Sequence, residues 1–298
     1  MKGRDLLELI GLAALWGASF MFMRVGAAQF GAVALAALRV AGAAAVLIPL
    51  VFYRREIPAM RANWKPILLL GITNSAIPFL AFAYALLTIS GGLSSIFNAA
   101  SPLFAATIAW LWLNDRLNAA RTVGLLIGFA GVIGLIISKS GVGGSAGAGD
   151  RSTLLAVLAC IVAAAAYGFS ANFTKRYLAG VPTMAVAGGS QLAATLVLAL
   201  PAALFWPDVR PGIAAWVELA TLSVFCTGLA YVIFFRLIAN VGPANAITVT
   251  FLIPAFAVGW GALFLGEQVS SEMLIGCAVI LFGTALAIGV WKPARFAR

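Results

Sequence analysis

The chain contains no histidine and carries few charges. Charged residues make up 9% of its 298 residues, whereas hydrophobic residues make up 63%. A soluble domain has about 25% charged residues, so this chain cannot cover a globule in water. The lack of histidine excludes histidine-based catalysis, histidine metal ligation and histidine proton relays. The composition predicts a protein that lies in a membrane over most of its length.

Acidic residues and cysteines are also scarce, and their positions argue against an enzyme. The acidic residues lie at the ends of apolar segments or between them, and no two are spaced to converge on one site. Cys160, Cys226 and Cys277 lie within apolar segments without CxxC spacing, which is typical of packing residues. The glycine-rich stretch Gly141–Gly149 lacks the lysine of a phosphate loop. We expect no catalysis, no metal and no cofactor.

The net charge of +10 comes from basic residues that lie mainly between apolar segments. They form no basic stripe with interleaved aromatic residues, so we expect the lipid bilayer, and not nucleic acid, as the partner of this surface. Basic residues are concentrated on the side of the N-terminus, which predicts that both termini are cytoplasmic.

Long apolar segments follow one another along the whole chain. A helix of about 20 apolar residues crosses a bilayer. The fold class is therefore predicted as an all-α membrane protein with ten transmembrane helices around a central cavity. The predicted spans are Leu6–Val25, Gly31–Phe52, Pro66–Thr88, Leu93–Leu113, Thr122–Ser138, Thr153–Thr174, Thr183–Phe205, Ile213–Ile238, Ala244–Leu265 and Met273–Trp291.

The spans divide into two halves around one low-complexity stretch, Gly141–Gly149. This stretch predicts a linker, so we assign residues 1–140 to a first repeat, 141–152 to the linker and 153–298 to a second repeat. Five spans per repeat is an odd number. The second repeat is therefore predicted to enter the membrane from the opposite side, as an inverted repeat.

Matching residues in the two halves support this repeat. Near the start of each half, Trp16-Gly17-Ala18-Ser19 lies over Tyr167-Gly168-Phe169-Ser170. Later pairs follow at a nearly constant offset, namely Arg24 with Lys175, Pro102 with Pro254, Asp115 with Glu267, Gly124 with Gly276 and Gly131 with Gly283. Their coincidence in position is stronger evidence than the number of identities in a chain so rich in Ala, Leu and Gly.

Prolines interrupt matched spans of the two halves. Pro102 lies in the middle of the predicted fourth span and Pro254 in the ninth. A proline inside a helix leaves a carbonyl without its partner, which is unfavourable in hydrocarbon. Matched interrupted spans in two halves of one chain indicate a transport site. Pro78, Pro102 and Pro254 are therefore predicted to be kinks that serve gating.

Polar residues inside the spans have two interpretations. Ser94, Asn98 and Ser101 lie on one face of the fourth span, where they either line a cavity or form hydrogen bonds between helices. We favour a cavity position for Asn98, because it lies near the proline and is costly to bury. Arg39 lies inside the second span, where it either extends to the membrane surface or holds a substrate carboxylate.

The sequence resembles the EamA family of the drug/metabolite transporter superfamily. The resemblance rests on W-G-x-S in the first span, prolines in the fourth and ninth spans, the endings LWLND and LFLGE, and glycine-rich fifth and tenth spans. Within the family, the chain is most similar to YddG-type exporters of aromatic and other neutral amino acids. The resemblance implies a ten-helix inverted-repeat bundle that works by alternating access in the bacterial inner membrane.

The resemblance also implies which residues face the substrate. The cavity walls come from the first, third, fourth, sixth, eighth and ninth spans, which places Trp16, Phe79, Asn98, Tyr167 and Tyr231 at the cavity. With the polar residues of these spans, the predicted substrate-binding residues are Trp16, Ser19, Asn74, Phe79, Ser94, Asn98, Ser101, Tyr167, Tyr231, Thr248 and Thr250.

The expected function is the export of neutral amino acids or related small metabolites by a monomer. The alternatives are a drug or toxic-compound exporter, which needs a carboxylate in the membrane, and an anionic-metabolite exchanger of the nucleotide-sugar type, which needs basic cavity residues. No histidine, aspartate or glutamate lies in the middle of a span to couple transport to protons. Facilitated export or counter-transport is therefore as plausible as proton coupling.

Overall fold

The computed structural model describes residues 3–140, 151–208, 210–242 and 246–289, and these ranges contain helices and no strand. The α-helices are α1 (Gly3–Tyr53), α2 (Ile57–Ala62), α3 (Trp64–Gly71), α4 (Ile77–Ala85), α5 (Gly91–Asn98), α6 (Ser101–Leu113), α7 (Ala119–Ser140), α8 (Arg151–Tyr177), α9 (Thr183–Leu204), α10 (Ile213–Ser223), α11 (Ala230–Val241), α12 (Val249–Leu265) and α13 (Ser271–Ile288). Two π-helical segments, π1 (Ile72–Ala76) and π2 (Val224–Leu229), connect α3 to α4 and α10 to α11.

Eight helical segments of the described chain are long and apolar enough to cross a membrane, and Val249–Leu265 is a shorter apolar helix. The prediction of an all-α membrane protein is confirmed. Three of the eight are composite, because α3–π1–α4, α5–α6 and α10–π2–α11 each form one apolar segment. The number of ten crossings stays a prediction.

The longest segment, α1, consists of two helices joined at Gly31. This glycine has φ 73° and ψ 162°, a conformation outside the helical region that a residue with a side chain rarely adopts. The parts before and after it span residues 3–30 and 32–53. At 1.5 Å per residue, each part is more than about 30 Å long, which is enough to cross the hydrocarbon core of a bilayer.

The predicted fourth span is not one continuous helix, and the prediction of a mid-helix Pro102 is wrong. Helix α5 ends at Asn98 and α6 begins at Ser101, so Pro102 is the second residue of a new helix. Proline is favoured there, because the first helical N–H groups have no partner within the helix. Pro78 is the second residue of α4, but α4 follows π1 without a break, so Pro78 lies within a continuous helical segment, and Pro254 lies inside α12 as predicted.

The predicted linker lies mostly outside the described residues. Residues 141–150 are not among them, and the last two predicted linker residues, Arg151 and Ser152, are the first residues of α8. Helix α8 therefore begins two residues before the predicted start of the second repeat. At its other end, α13 ends at Ile288 with Gly289 in the left-handed conformation, and Trp291 lies outside the described residues.

Helices α7 and α13 pack with their backbones in close contact. A Cβ atom at Gly283 would lie 2.5 Å from the Cα atom of Gly128 and 2.7 Å from the carbonyl oxygen of Gly124. A Cβ atom at Gly131 would lie 2.9 Å from a methyl group of Val279. Small residues allow such close approach between helices in lipid, where dispersion contacts replace the hydrophobic driving force. Most glycines of the fifth and tenth predicted spans are therefore packing residues, namely Gly124, Gly128, Gly131, Gly276 and Gly283.

The two halves of the chain repeat the same helix contacts. Gly17 on α1 lies against Phe256 and Ala257 on α12, and a Cβ atom added there would be 2.5 Å from the Phe256 Cβ. Gly168 on α8 lies against the equivalent residues 104 and 105 on α6, with 2.8 Å to the Phe104 Cβ. The first helix of each half therefore packs tightly on a proline-containing helix of the other half.

We predict that Gly283→Ala destabilises the protein, because its methyl group overlaps the α7 backbone. Overpacking of this kind costs about 1–3 kcal/mol. The measurement is the thermal unfolding midpoint of the purified protein in detergent. Gly134→Ala is the matched control, since a Cβ atom at Gly134 meets no atom within 4 Å. Equal midpoints for the two variants would contradict the close packing of α7 on α13.

Candidate functional site

Arg39, in the second part of α1, is buried in the helix bundle with only 4% of its surface exposed. Its Nε donates to the Thr227 Oγ1 at 3.0 Å, and its Nη1 contacts the Met23 Sδ at 2.7 Å. The guanidinium carbon lies 3.7 Å from the ring centroid of Phe79. This burial excludes the interpretation in which Arg39 extends to the membrane surface.

Polar and aromatic residues from both halves surround this guanidinium. Tyr167 on α8 and Tyr231 on α11 are close enough to interact with its charge. The Asn74 Nδ2 donates to the Tyr231 hydroxyl at 3.2 Å, which joins π1 to α11. Three aromatic rings and several neutral hydrogen-bonding groups therefore meet at one buried cation.

Gln191 on α9 completes this set. Its Nε2 donates to the Ser75 Oγ at 2.8 Å, whereas its Oε1 is buried and has no hydrogen-bond partner. The side chains of Ser75 and Gln191 also lie near the Tyr231 hydroxyl. We call the whole set the central cluster, which consists of Arg39, Asn74, Ser75, Phe79, Tyr167, Gln191, Thr227 and Tyr231.

The central cluster has the same plan in both halves. Arg39 donates a hydrogen bond to Thr227, and Gln191 donates one to Ser75. Gln191 lies 152 positions after Arg39, and Thr227 lies 152 positions after Ser75, so each residue of one bond has its equivalent in the other. The segments π1 and π2 carry the two hydroxyl partners at equivalent places. π-helical turns are frequent at functional sites, because the additional residue in the turn redirects side chains.

The structure brings four of the predicted substrate-binding residues together in the central cluster, namely Asn74, Phe79, Tyr167 and Tyr231. Trp16 lies at the far end of a row of aromatic rings. Its ring centroid is 5.2 Å from Phe234, which is 5.8 Å from Phe235, and Phe235 stacks on Tyr231 at 6.1 Å.

Other predicted residues make contacts outside this cluster. Ser94 is fully buried and lies 3.4 Å from the Cys160 Sγ, so it connects α5 to α8. The Ser101 Oγ donates to the Asn98 backbone oxygen at 2.6 Å, across the break between α5 and α6. The Ser19 Oγ donates to the Trp16 carbonyl within its own helix at 2.6 Å.

The predicted threonines lie at the start of α12. The Thr250 Oγ1 donates to the Ile247 carbonyl at 2.8 Å, and Thr248 is the residue before the first residue of α12. Sequence reasoning included neither Gln191 nor Thr227 in the site. The available signal was an amide inside an apolar span at the position equivalent to Arg39.

A partly buried ion pair lies near the end of the first part of α1. The Arg24 Nε is 3.1 Å from the Glu267 Oε1, with side-chain exposures of 34% and 10%. Glu267 also accepts hydrogen bonds from the backbone N–H groups of Gly91 at 2.9 Å and Gly92 at 3.3 Å. The Arg24 Nη1 donates to backbone carbonyls of the α4–α5 connection, including that of Ile89.

The equivalent residues of the two halves form a second pair. The Lys175 Nζ is 3.3 Å from the Asp115 Oδ2, with side-chain exposures of 65% and 45%. Each acid follows a helix end in the left-handed conformation, Asn114 after α6 and Gly266 after α12. The two pairs are therefore built alike, but the Arg24–Glu267 pair is less exposed and has additional backbone partners.

A groove of about 600 Å³ lies between α1, α11 and α12. Apolar residues line most of it, with Trp260 on one side and Arg4 and Glu8 at its polar end. The Arg236 Nη2 is 3.0 Å from the Glu8 Oε1, so this arginine has a carboxylate partner. No residue of the central cluster lines this groove, and the central cavity stays a prediction.

Comparison with known proteins places this architecture among membrane transporters. YvbV of Bacillus subtilis, an uncharacterized transporter, is 23% identical over 96% of this chain and 92% of its own length. YedA of Escherichia coli, an uncharacterized inner membrane transporter, is 24% identical over 96% of this chain and 92% of its own. A crystal structure that is 22% identical superposes with a TM-score of 0.67 and covers 97% of this chain and 98% of its own.

The model of the EamA-like transporter family matches the chain twice, over residues 6–137 and 154–289. These two matches cover nearly all of the described helices. The apolar helices long enough to cross a membrane, and relatives that are described as transporters, agree with this family match. The chain is therefore a multi-pass membrane transporter and belongs to the EamA-like transporter family.

Proposed function

We propose that this protein exports neutral amino acids, aromatic ones included, or related small zwitterionic metabolites. The observation that carries this proposal is the central cluster, where Phe79, Tyr167 and Tyr231 and neutral polar groups surround a buried guanidinium. Aromatic rings favour an apolar or aromatic side chain, and the polar groups can bind charged ends of a small solute.

The charges of the described residues also distinguish between substrate classes. No acidic side chain of the described chain forms an ion pair with Arg39 or belongs to the central cluster. This disfavours a multidrug cation exporter, which needs a carboxylate for its substrate. A nucleotide-sugar exchanger needs several basic groups, and Arg236 is already paired with Glu8. A small neutral solute therefore fits better than either alternative.

We infer ten transmembrane helices in two five-helix repeats of inverted topology. The break at Gly31 divides α1 into two crossings, and α12 is the shorter apolar helix among the remaining segments. The two matches of the family model support repeats over residues 1–140 and 153–298. The repeated contacts of Gly17 and Gly168 support a two-fold relation between them.

With ten crossings, both termini lie on one side of the membrane, which we assign to the cytoplasm of a bacterial inner membrane. The excess of basic residues on that side supports this orientation. The Arg24–Glu267 pair then lies at the outer end of the bundle, and the Lys175–Asp115 pair at the cytoplasmic end. We propose that the protein works as a monomer, since each repeat supplies residues to one shared site.

The two ion pairs suggest how access alternates. The outer pair is partly buried and joins three parts of the chain, whereas the cytoplasmic pair is exposed. Exposed pairs contribute little stability, and the contribution of a pair rises as it is more buried and has more hydrogen-bond partners. We propose that the outer pair holds the outer end closed in this conformation, and that the cytoplasmic pair has the same role in the opposite state.

Reconstituted protein is expected to exchange labelled phenylalanine for unlabelled phenylalanine in proteoliposomes, with saturation. A pH gradient should change the rate little, because the central cluster contains no acid or histidine to carry a proton. Protein-free liposomes are the control. Lack of exchange of any neutral amino acid would contradict the proposed function, whereas a strong pH dependence would contradict only the uncoupled mechanism.

Tyr231→Phe is expected to raise the half-saturation concentration for phenylalanine about three- to tenfold. This substitution removes the hydroxyl that accepts from Asn74 and lies beside Gln191, and a neutral hydrogen bond contributes about 0.5–1.5 kcal/mol. The measurement is the concentration dependence of exchange in proteoliposomes. Tyr84→Phe, on the exposed face of α4, is the matched control. Equal values for both variants would exclude Tyr231 from the site.

Glu267→Gln is expected to open the outer end, because Arg24 loses its carboxylate partner. Cys226 precedes Thr227, the hydrogen-bond partner of Arg39, and can report access to the central cluster in a variant with Cys160→Ala and Cys277→Ala. Its labelling by an impermeant maleimide added from outside should become faster by about fivefold or more, which corresponds to a shift of about 1 kcal/mol.

Two controls accompany this measurement. Glu218→Gln is the same change on α10, and Glu218 forms no ion pair among the described residues. Asp115→Asn breaks the exposed pair and should change labelling from outside by less than about twofold. An unchanged rate of Cys226 labelling in Glu267→Gln would contradict the role of the Arg24–Glu267 pair in closing the outer end.

A further inference from the structure

Arg39 is a buried cation without a counter-charge. Its guanidinium has a hydroxyl, a thioether sulfur and an aromatic ring as neighbours, and none of these carries a negative charge. Its Nη2 has no hydrogen-bond partner among the described residues. A buried charge in a membrane protein is unfavourable unless it is paired or functional. The missing partner is therefore a group that the described chain does not supply.

Thr227 and Phe79 hold the guanidinium in one orientation. The Nε bond to Thr227 occupies one edge of the guanidinium, and Phe79 covers one face. Guanidinium N–H groups match the two oxygens of a carboxylate in a bidentate pair. One fixed guanidinium with free donor capacity at Nη2 is thus a site for a single carboxylate rather than for a larger anion.

Gln191 occupies the equivalent position in the second half, but it is neutral. It is fully buried, and its Oε1 is an acceptor without a donor. An unsatisfied buried acceptor is costly, and each such group in a native structure needs an explanation. The two equivalent positions therefore need opposite partners. Arg39 is a cation that lacks an anion, and the Gln191 Oε1 is an acceptor that lacks a donor.

We propose that Arg39 and Gln191 orient one zwitterionic substrate, with its carboxylate on the Arg39 guanidinium and its ammonium group on the Gln191 Oε1. The Tyr231 hydroxyl, which lies near both residues, is a second acceptor for the ammonium group. This inference rests on the proposed function and makes it more specific, since it selects α-amino acids among small neutral solutes. The substrate side chain then lies against the aromatic rings of the central cluster.

The inference explains why the halves differ at these positions. A pair of arginines would favour a dianion, and a pair of glutamines would favour an uncharged solute. One of each provides a donor end and an acceptor end, so the site binds a molecule that has both. The repeat places Arg39 and Gln191 at equivalent positions, and the difference in charge between them fixes the orientation of the bound substrate.

The test compares the binding of three ligands by purified protein in detergent, measured as the shift of the thermal unfolding midpoint with ligand concentration. The ligands are phenylalanine, phenethylamine, which lacks the carboxylate, and 3-phenylpropanoate, which lacks the ammonium group. The wild type should bind phenylalanine most tightly. Arg39→Gln should weaken the binding of phenylalanine and of 3-phenylpropanoate by about tenfold or more, and it should leave the binding of phenethylamine unchanged.

Gln191→Leu should have the complementary effect. It should weaken the binding of phenylalanine and of phenethylamine, and it should leave the binding of 3-phenylpropanoate unchanged. Arg39→Lys retains the charge and should keep part of the preference for carboxylates, which provides a second variant if Arg39→Gln does not fold. Arg236→Gln is the control, because Arg236 already has a carboxylate partner, and it should change none of the three affinities.

Equal weakening of all three ligands by Arg39→Gln, or no weakening, would overturn the assignment of the carboxylate. Unchanged binding of phenethylamine by Gln191→Leu would overturn the assignment of the ammonium group. Failure of the proposed function is distinguishable, because binding is measured without transport. If the variants lose the binding of the expected ligands but the wild type exchanges no phenylalanine in proteoliposomes, the binding site is supported and the export function is rejected.

Discussion

The absence of water from the bilayer core is the constraint on which this structure depends. Backbone N–H and C=O groups there must pair within the protein, and helices satisfy this requirement within each segment. Departures from regular helix are therefore few. They occur at Gly31, at the turn between α5 and α6, and at the two π-helical segments. The π-helical segments carry hydroxyl and amide partners of the central cluster, so the irregular backbone and the polar site coincide.

Contacts between the halves provide a common basis for the fold and the proposed mechanism. Gly17 and Gly168 bring the first helix of each half against the other half, and the ion pairs of Arg24 and Lys175 repeat the same relation at helix ends. Two packings of nearly equal energy are what alternating access requires, since a repeat can then move against its partner around a shared site. The different burial of the two pairs favours one of these packings.

Within this frame, the chemistry of the site is simple. A guanidinium, an amide oxygen and aromatic rings can hold a small zwitterion without any ionisable acid. Among the described residues, no carboxylate belongs to the central cluster, which is consistent with the proposed uncoupled transport of a neutral solute.

The sequence by itself determined the membrane class, the helical segments and the EamA family, because apolar length and proline and glycine positions are local properties. It also aligned Asp115 with Glu267 and predicted a substrate site that includes Asn74, Phe79, Tyr167 and Tyr231, four residues that lie together in the central cluster. Only the tertiary structure decided that Pro102 begins a helix, that Ser94 packs on Cys160, and that Arg39 and Gln191 are both buried beside hydroxyl partners of other helices. These outcomes depend on which helix faces lie together, and side-chain pairing across distant segments is not encoded in local periodicity.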